Sequence, residues 1–514
     1  MARKEYVAAI DAGTIGCRTI IFDTEGHEIG RAYDEYLSYY PLPAWVEQNA
    51  EDWWITACNT VKRAIATTKV NPEDIVGVSV TNQRETIVPV DIDGKPLRNA
   101  IVWQDRRTVP QCEWIKKNVG ADVVYQITGL TVDPYFSAPK ILWIMENQPE
   151  IVKKTFKFLL VHDYIEYKLT GEFVTDWSNA SRTMLFDVEK FEWSEKLSNE
   201  MGIPKEKMPT AYASGTKVGE VTKEAAESTG FAEGTPVAAG GGDQQCGAVG
   251  VGVVRLGRIK ATTGTGTFML AFLDEPKRDR QKRVLCSCHA VPGKWVMEAS
   301  MFTTGAVYRW FRDRFGQLEK LTASQLGIDA YELLNDEADA APVGSGGVLV
   351  IPHFIGAGAP HWDPKARGVI LGLALGHERK HVIRAIMEGV CFEIRRNIEV
   401  MRELGIKIEE MRITGGATRN PTWNQIQADV YGIPVAKGVV EEATSLGAAI
   451  LAGVGAGIYR DVADAAEKMV IIGERRMPIA KNHDLYNKLY EVHKAVYQAL
   501  KQANVYARLA EFTV

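Results

Sequence analysis

Two stretches half a chain apart share one local design, and they constrain the fold more than anything else in the 514 residues. The first is Val7-Ala-Ala-Ile-Asp11-Ala-Gly13-Thr14-Ile-Gly16-Cys-Arg18, followed by Thr19-Ile-Ile-Phe-Asp23 and the turn Thr24-Glu-Gly26. The second is Arg258-Ile-Lys-Ala-Thr-Thr-Gly264-Thr265-Gly266-Thr267, followed by Phe268-Met-Leu-Ala-Phe272. Each reads as an apolar strand, a tight Gly/Thr turn and a returning strand. Repetition at this spacing predicts two similar domains facing one cleft. Around the hairpins, strand-like runs (75–81, 87–90, 348–351, 411–414) alternate with helical stretches (51–68, 140–147, 382–404, 422–431, 444–452), the order of an α/β fold. Asn49 or Glu51 starts the first of those helices, and 484–511 reads as one long amphipathic helix. The Gly-rich segment from Gly240 to Gly252 reads as the junction, dividing the chain into domains 1–252 and 253–514.

Charge narrows the chemistry. Sixty Lys+Arg against 65 Asp+Glu leave a net charge of -5, so the chain has no global attraction to nucleic acid or to an anionic membrane surface. A small-molecule partner is the expectation. Met1-Ala-Arg-Lys-Glu-Tyr-Val leads straight into a strand-like run with no apolar signal core. The weakly charged stretch 443–459 falls short of the ~20 apolar residues a span needs and reads as a buried helix plus a turn. Seven scattered cysteines, an odd number, fit a reducing cytoplasm rather than a disulfide framework. Cys286-Ser-Cys288-His289 has no second ligand cluster at matching spacing and reads as a strand with small residues. Lys277-Arg-Asp-Arg-Gln-Lys-Arg283 reads as a solvated loop.

The turns point to phosphate. Phosphate oxygens need several N–H donors with no side chain in the way; glycine allows the approach and threonine adds a hydroxyl donor. Asp11-Ala-Gly13-Thr14 and Gly264-Thr265-Gly266-Thr267 meet that requirement, and Gly415-Gly416 supplies a third candidate where a strand leads into a helix. The Gly-Lys dipeptides, at Gly94-Lys95 and Gly293-Lys294, do not continue to Ser or Thr, so there is no P-loop. The first strand does not end in G-x-G-x-x-G, which disfavours a dinucleotide site. Asp11, beside the first turn, suits a Mg²⁺ ligand, directly or through water. Asp243, in Gly-Gly-Asp-Gln-Gln, can accept a proton from a substrate hydroxyl. Turn-capping is the plain alternative for both.

At these residues the sequence resembles the FGGY carbohydrate kinases over nearly its whole length. Tyr135-Phe-Ser137-Ala-Pro-Lys140-Ile-Leu-Trp143-Ile-Met-Glu146-Asn147 is similar to the family's first signature. Gly368-Val-Ile-Leu-Gly372-Leu373 through His381-Val-Ile-Arg-Ala385-Ile-Met-Glu388 is similar to its second. The resemblance implies a pair of actin-like, ribonuclease-H-like α/β domains of the ASKHA superfamily, flanking a central cleft that closes in use. It implies an ATP- and Mg²⁺-dependent cytoplasmic kinase acting on a small polyol or sugar. No oligomeric state follows, and a homodimer or larger homo-oligomer stays open.

Within the family, Thr81-Asn-Gln83-Arg84-Glu85-Thr86, Ile101-Val-Trp103-Gln-Asp-Arg106, Gly242-Asp243-Gln244-Gln245 and Ala359-Pro-His-Trp362-Asp363-Pro are most similar to the glycerol kinases. Carried over residue by residue, the polyol site would be Arg84, Glu85, Trp103, Tyr135, Asp243, Gln244 and Phe268, with Asp243 as general base and glycerol as the leading acceptor. The nucleotide side would be Thr14, Arg18, Gly264, Thr265, Gly266 and Gly305 near the β/γ-phosphates, with Gly415, Gly416 and Asn420 near the α-phosphate or adenosine. Asp11 and Asp243 would hold Mg²⁺.

Departures keep a second acceptor class open. Glycerol kinases usually begin D-Q-G-T-T-S-S-R, where this chain has Asp11-Ala-Gly-Thr-Ile-Gly-Cys-Arg18, and read N-T-Y-G-T-G-C-F where it has Ala261-Thr-Thr-Gly-Thr-Gly-Thr-Phe268. The stretches Arg309-Trp-Phe-Arg-Asp313 and Glu442-Ala-Thr-Ser-Leu-Gly447-Ala resemble autoinducer-2 kinases and other sugar kinases of the family at least as much. Another sugar, sugar alcohol or dihydroxydione is therefore the alternative acceptor. Gln83-Arg-Glu-Thr in place of Gln-x-His-Gly counts against xylulose. A non-catalytic nucleotide-gated switch is the remote alternative.

Overall fold

A computed structural model describes residues 4–512; residues 1–3 of the leading segment read above lie outside the described residues. The chain divides into two compact units, Met1–Leu256 with Phe272–Met297 and Glu442–Ile471, and Gly257–Ala271 with Glu298–Glu441 and Ile472–Val514.

The first unit is built on β1 (Tyr6–Ala12), β2 (Gly16–Asp23), β3 (Glu28–Glu35), β4 (Ile75–Asn82), β5 (Lys217–Glu220) and β6 (Pro236–Gly242), in the order β5-β6-β4-β1-β2-β3. Its apolar runs make the centre of the sheet. Ile10, Ile21, Val78 and Val80 are fully buried, each such side chain contributing about 1.5–3 kcal/mol. β1 pairs antiparallel with β2 across the Gly/Thr turn, which sets Asp11 opposite Arg18, and parallel with β4 on its other side. The Ala50–Thr68 helix covers this sheet. Asn49 caps it, its side chain accepting the Glu51 N–H at 3.2 Å, and Trp53, Ala57, Val61 and Ala64 make the buried stripe.

The second unit repeats the plan with β7 (Gly257–Thr263), β8 (Thr267–Leu273), β9 (Ile408–Thr414), β10 (Val435–Gly438) and β11 (Ile472–Arg476), ordered β8-β7-β9-β10-β11. Again an antiparallel hairpin, with Thr263 opposite Thr267, lies beside a parallel strand, β9. The expected α/β class with two sheet-based units is what the chain adopts.

Three local expectations need correction. The segment from Gly240 to Gly252 is regular structure, and the first unit runs past it to Leu256. The segment's first part is buried strand β6, and Asp243–Gly250 is a helix that packs on the Ala443–Gly455 helix. The glycines serve close packing, since a Cβ on Gly240 would overlap the Val80 carbonyl oxygen. The C-terminal helix is not continuous: Ala480–Gln502 ends at Asn504, whose φ of 55° starts a new turn at Val505. The basic run 277–283 is pinned rather than solvated. Arg278 donates to the Tyr125 and Gln126 carbonyls, and Asp279, 2% exposed, accepts from Arg283.

The 443–459 stretch is a buried helix and turn, as its composition predicts, and among the described residues no helix is long and apolar enough to cross a membrane. The cysteines are buried free thiols, and Leu285–Cys288 is a strand.

Candidate active site

In the first unit the sheet brings most of the expected residues to one end. Asp11 closes β1, and its side chain is 12% exposed. Arg18, across the hairpin, sits 3.7 Å from Asp11 and pairs closely with Glu442, which returns to this unit from far along the sequence. Ser445 donates to Asp11 Oδ2 at 3.3 Å. Burial pushes the Asp11 carboxyl up to about 6; Arg18 opposes the rise, and the charges of Asp243 and Glu442 add to it.

Asp243 begins the helix that follows β6 and keeps a third of its side chain accessible. Arg84 Nε lies 3.3 Å from Asp243 Oδ1 and 3.8 Å from Glu85 Oε1, and Arg84 and Glu85 are buried, 2% and 1% exposed. The Gln244 backbone N–H and side-chain amide donate to the two Asp243 oxygens at 2.7 and 3.1 Å. Glu85 adopts φ 65°, a left-handed backbone that a non-glycine residue holds at a cost of order 1 kcal/mol. Ser137, at the head of the first signature helix, ties it down by donating to the Glu85 carbonyl at 3.0 Å.

The aromatic residues complete this side. Trp103 and Tyr135 are half-buried and meet edge to face at 5.5 Å between centroids. Trp103 Nε1 donates to Thr14 Oγ1 at 3.0 Å, so the first phosphate turn and the expected polyol residues share a hydrogen bond. Lys140 fixes the Tyr135 turn by donating to the carbonyls of Pro134, Tyr135 and Phe136 at 2.7–2.9 Å. Phe268 lies on β8 of the second unit, paired with Thr262.

Sequence reading missed several participants. Arg182 is fully buried, donates to Glu85 Oε1 at 2.6 Å and to Ser287 Oγ at 3.0 Å, and fixes the carboxylate that Arg84 also faces. Beneath β6, Glu166 accepts the Gly240 N–H at 2.9 Å, and Ser178, itself held by Asp176, accepts the Gly242 N–H at 3.0 Å. These bonds fix the strand that delivers Asp243. No local pattern marks Arg182 or Glu166; Glu442 and Ser445 lie in a stretch that the family resemblance does mark.

In the second unit, Gly264, Thr265 and Gly266 form the turn between β7 and β8, closed by Gly264 N–H to Gly266 O at 2.9 Å. Below it runs a ladder of buried hydroxyls, Thr263 to Thr267 at 3.1 Å and Thr267 to Thr304 at 3.0 Å. The Thr304 and Ala306 N–H groups donate to the Thr265 carbonyl, and a Cβ on Gly305 would strike the Gly264 carbonyl oxygen. Gly415, with φ 91°, lies against Thr263 of the hairpin, and Gly416 faces open space. The Asn420 oxygen accepts the Thr422 and Trp423 N–H groups, and its amide donates to Asn335. Asn420 is 4% exposed and acts as the cap of the Pro421–Tyr431 helix.

Two hairpins with open glycines, an ionic set in one unit and a hydroxyl ladder in the other suit phosphoryl chemistry. Comparison with known proteins points the same way. Residues 6–250 match the N-terminal domain of the FGGY family of carbohydrate kinases, and residues 259–456 match its C-terminal domain. Glycerol kinase of Thermococcus gammatolerans is 38% identical over 512 residues, 98% of this chain and 99% of that one. Xylulose kinase of Bacillus subtilis is 33% identical over 500 residues, 97% of this chain and 98% of that one. The crystal structure of Plasmodium falciparum glycerol kinase with ADP superposes with a TM-score of 0.85 at 26% identity, over 97% of this chain and 98% of that one. The chain therefore belongs to the FGGY family of carbohydrate kinases, phosphotransferases with an alcohol group as acceptor.

Proposed function

We propose that the chain transfers the γ-phosphoryl group of ATP to a terminal hydroxyl of a short polyol, glycerol first. The observation that carries this is Asp243, a carboxylate a third exposed and held by the buried Arg84 beside Glu85. Such a group is oriented yet reachable. It accepts the proton of the attacking hydroxyl while Arg84 and Glu85 hold neighbouring hydroxyls by donation and acceptance. Trp103 and Tyr135 offer apolar faces to a short carbon backbone. The relative in Thermococcus gammatolerans is named for glycerol, and the Plasmodium structure for ADP.

Phosphoryl transfer asks the protein for positioning and charge compensation more than covalent chemistry. In the first unit, Thr14, Arg18 and the Gly13 turn meet phosphate oxygens; in the second, Thr265 and the N–H groups of Gly264 and Gly266 do so. Gly416 leaves the backbone beside it open, while Gly415 packs closely on Thr263 of the hairpin. The donor set of Asp11 and Asp243, hard carboxylate oxygens close enough to influence one another, fits a magnesium ion. When bound, Mg²⁺ neutralises triphosphate charge. Domain boundaries at 1–252 and 253–514 remain the functional division we propose, with acceptor recognition in the first part and nucleotide recognition in the second.

A second reading has support of its own, since the Bacillus subtilis relative is a xylulose kinase. A panel of polyols, ketoses, sugar alcohols and dihydroxydiones, read by coupled ADP release, separates the two. Glycerol should show kcat/KM at least about tenfold above any other acceptor, a margin that contacts to substrate hydroxyls readily provide. Faster turnover of a five-carbon sugar would replace the glycerol reading with the sugar one.

A further inference from the structure

The second unit holds a buried set of ligating side chains that phosphoryl transfer does not use. His353 follows the strand Leu349–Ile351 by two residues, His361 sits in the loop that comes next, and Glu393 lies in the middle of the Arg379–Glu403 helix. Their side chains are 8%, 8% and 2% exposed. His353 Nε2 is 3.7 Å from Glu393 Oε1, and His361 Nε2 is 3.3 Å from Glu393 Oε2. The three ligand atoms all lie within 4.8 Å of one another.

His353 Nε2, His361 Nε2 and both Glu393 oxygens are buried without a hydrogen bond of good geometry. A buried polar atom left this way costs about 1–3 kcal/mol, and more for a charged group. Four converging on one point call for something at that point. His493 stands behind the carboxylate. Its Nε2 lies 3.2 Å from the Val350 carbonyl, which accepts the proton there, so Nδ1 turns its lone pair toward Glu393 Oε1 at 3.7 Å. The Tyr497 ring packs on His361 at 4.0 Å between centroids, and its hydroxyl donates to Asp363 Oδ2 at 3.2 Å, which fixes the imidazole plane.

We propose that His353 Nε2, His361 Nε2 and a Glu393 carboxylate oxygen bind one borderline divalent transition-metal ion, Zn²⁺ by ligand type, with water in the fourth position. Tetrahedral ligands at about 2.0–2.1 Å from an ion stand about 3.4 Å apart, close to the spacings here. Two imidazoles and one carboxylate select zinc-like ions over Mg²⁺ or Ca²⁺, which take oxygen. A pocket lined by Phe302, Thr303, Pro352, His353 and Glu393 has about 10 Å³ of room for a water-sized group. The ion ties the 353–361 loop to the long helix. It also sits under the nucleotide-side turn, because Thr303, next to Thr304, donates to the Pro352 carbonyl at 2.5 Å.

The test uses the tag-free full chain, stripped with a chelator and titrated in excess Mg²⁺. Zn²⁺, followed by competition with a chromophoric chelator, should bind at one equivalent per chain and raise the melting temperature. Co²⁺ should give the intense visible bands of a four-coordinate site with nitrogen ligands. His353→Ala/His361→Ala should bind about 10²-fold more weakly or worse, and Glu393→Gln should show a reduced Co²⁺ signal. Failure of the wild-type chain to bind an equivalent, or a weak six-coordinate Co²⁺ spectrum, overturns the proposal whether or not the variants fold. Undiminished binding by the folded double variant overturns it too.

Discussion

The two Gly/Thr hairpins have the same topology and opposite chemistry. In the first, cross-strand partners Asp11 and Arg18 are joined by Glu442, and the turn reaches Trp103 through Thr14. In the second, the cross-strand partners are Thr263 and Thr267, extended by Thr304, and the turn is braced by backbone from Gly305 and Gly415. Ionised groups can move protons and hold cations; hydroxyls and amides offer fixed dipoles to an anion without changing charge. One plan of strands thus carries two kinds of site, and the side chains at the strand ends decide which. The first unit is where charge should matter most, the second where backbone fit should.

Asp243 breaks or keeps the first half of that contrast. Asp243→Asn keeps the shape and one of the two hydrogen bonds from Gln244 but removes the base, and kcat should fall by ~10²-fold or more. The ATP dissociation constant, measured by calorimetry, should change far less than kcat, because Asp11 and the two Gly/Thr turns remain to hold the metal-bound triphosphate. Unchanged turnover would remove Asp243 from the chemistry.

Two glycines sharpen the second half. Gly305→Ala drives a methyl group into the Gly264 carbonyl, whereas Gly264→Ala has nothing within 4 Å of its new methyl. Backbone cannot step aside as a flexible side chain can, so Gly305→Ala should cost about 1–3 kcal/mol. It should also raise KM for ATP by roughly tenfold, the rate equivalent of about 1.4 kcal/mol. Gly264→Ala should stay within about 0.5 kcal/mol by thermal unfolding. Equal effects of the two would mean that the turn does not work through backbone fit.

What could be read from the sequence follows the same division. The hairpins were legible because strand, turn and strand are contiguous and their chemistry is local: Asp11, Gly13, Thr14 and Gly264–Gly266 stand where the pattern puts them. The acceptor residues came from a family resemblance, since Arg84, Trp103, Tyr135 and Asp243 are far apart in the chain and no periodicity relates them. Arg182, Glu166 and Ser178 escaped altogether. A buried arginine or glutamate is legible only when the partner that neutralises it is known, and these partners are 97, 74 and 64 positions away. Gly240–Gly252 was misread for a related reason. Glycine-rich sequence marks a flexible joint or a close approach equally well, and only the neighbouring Val80 carbonyl tells which. At Asn420 the Pro at position 421 is a local signal for the helix cap that the structure shows, since Asn before Pro is a common cap.

The last expected effect again separates the units, through pH. Under β6 the fully buried His162, Asp163, Glu166 and Asp176 share one network, while the hydroxyl ladder of the second unit does not titrate in the same range. Burial alone would lower the His162 pKa, but Asp163, Glu166 and Asp176 outweigh it and hold the imidazolium up to about 9. Burial lifts Glu166 to about 8 against the pull of His162, and Asp163 to about 6. All three exceed their unfolded values, so between the two the folded chain binds more protons and stability falls as pH rises. Glu166 accounts for the loss between about pH 4.5 and 8, His162 for that between about 6.5 and 9. Each proton contributes at most about 1.4 kcal/mol per pH unit. Glu166→Gln keeps an acceptor for the Gly240 N–H but no longer titrates, so its urea midpoint should fall less steeply than the wild-type midpoint between pH 5 and 8. Parallel curves across the whole range would show that Glu166 keeps the same charge in the folded and unfolded chain, and that the support under Asp243 does not respond to protons through it.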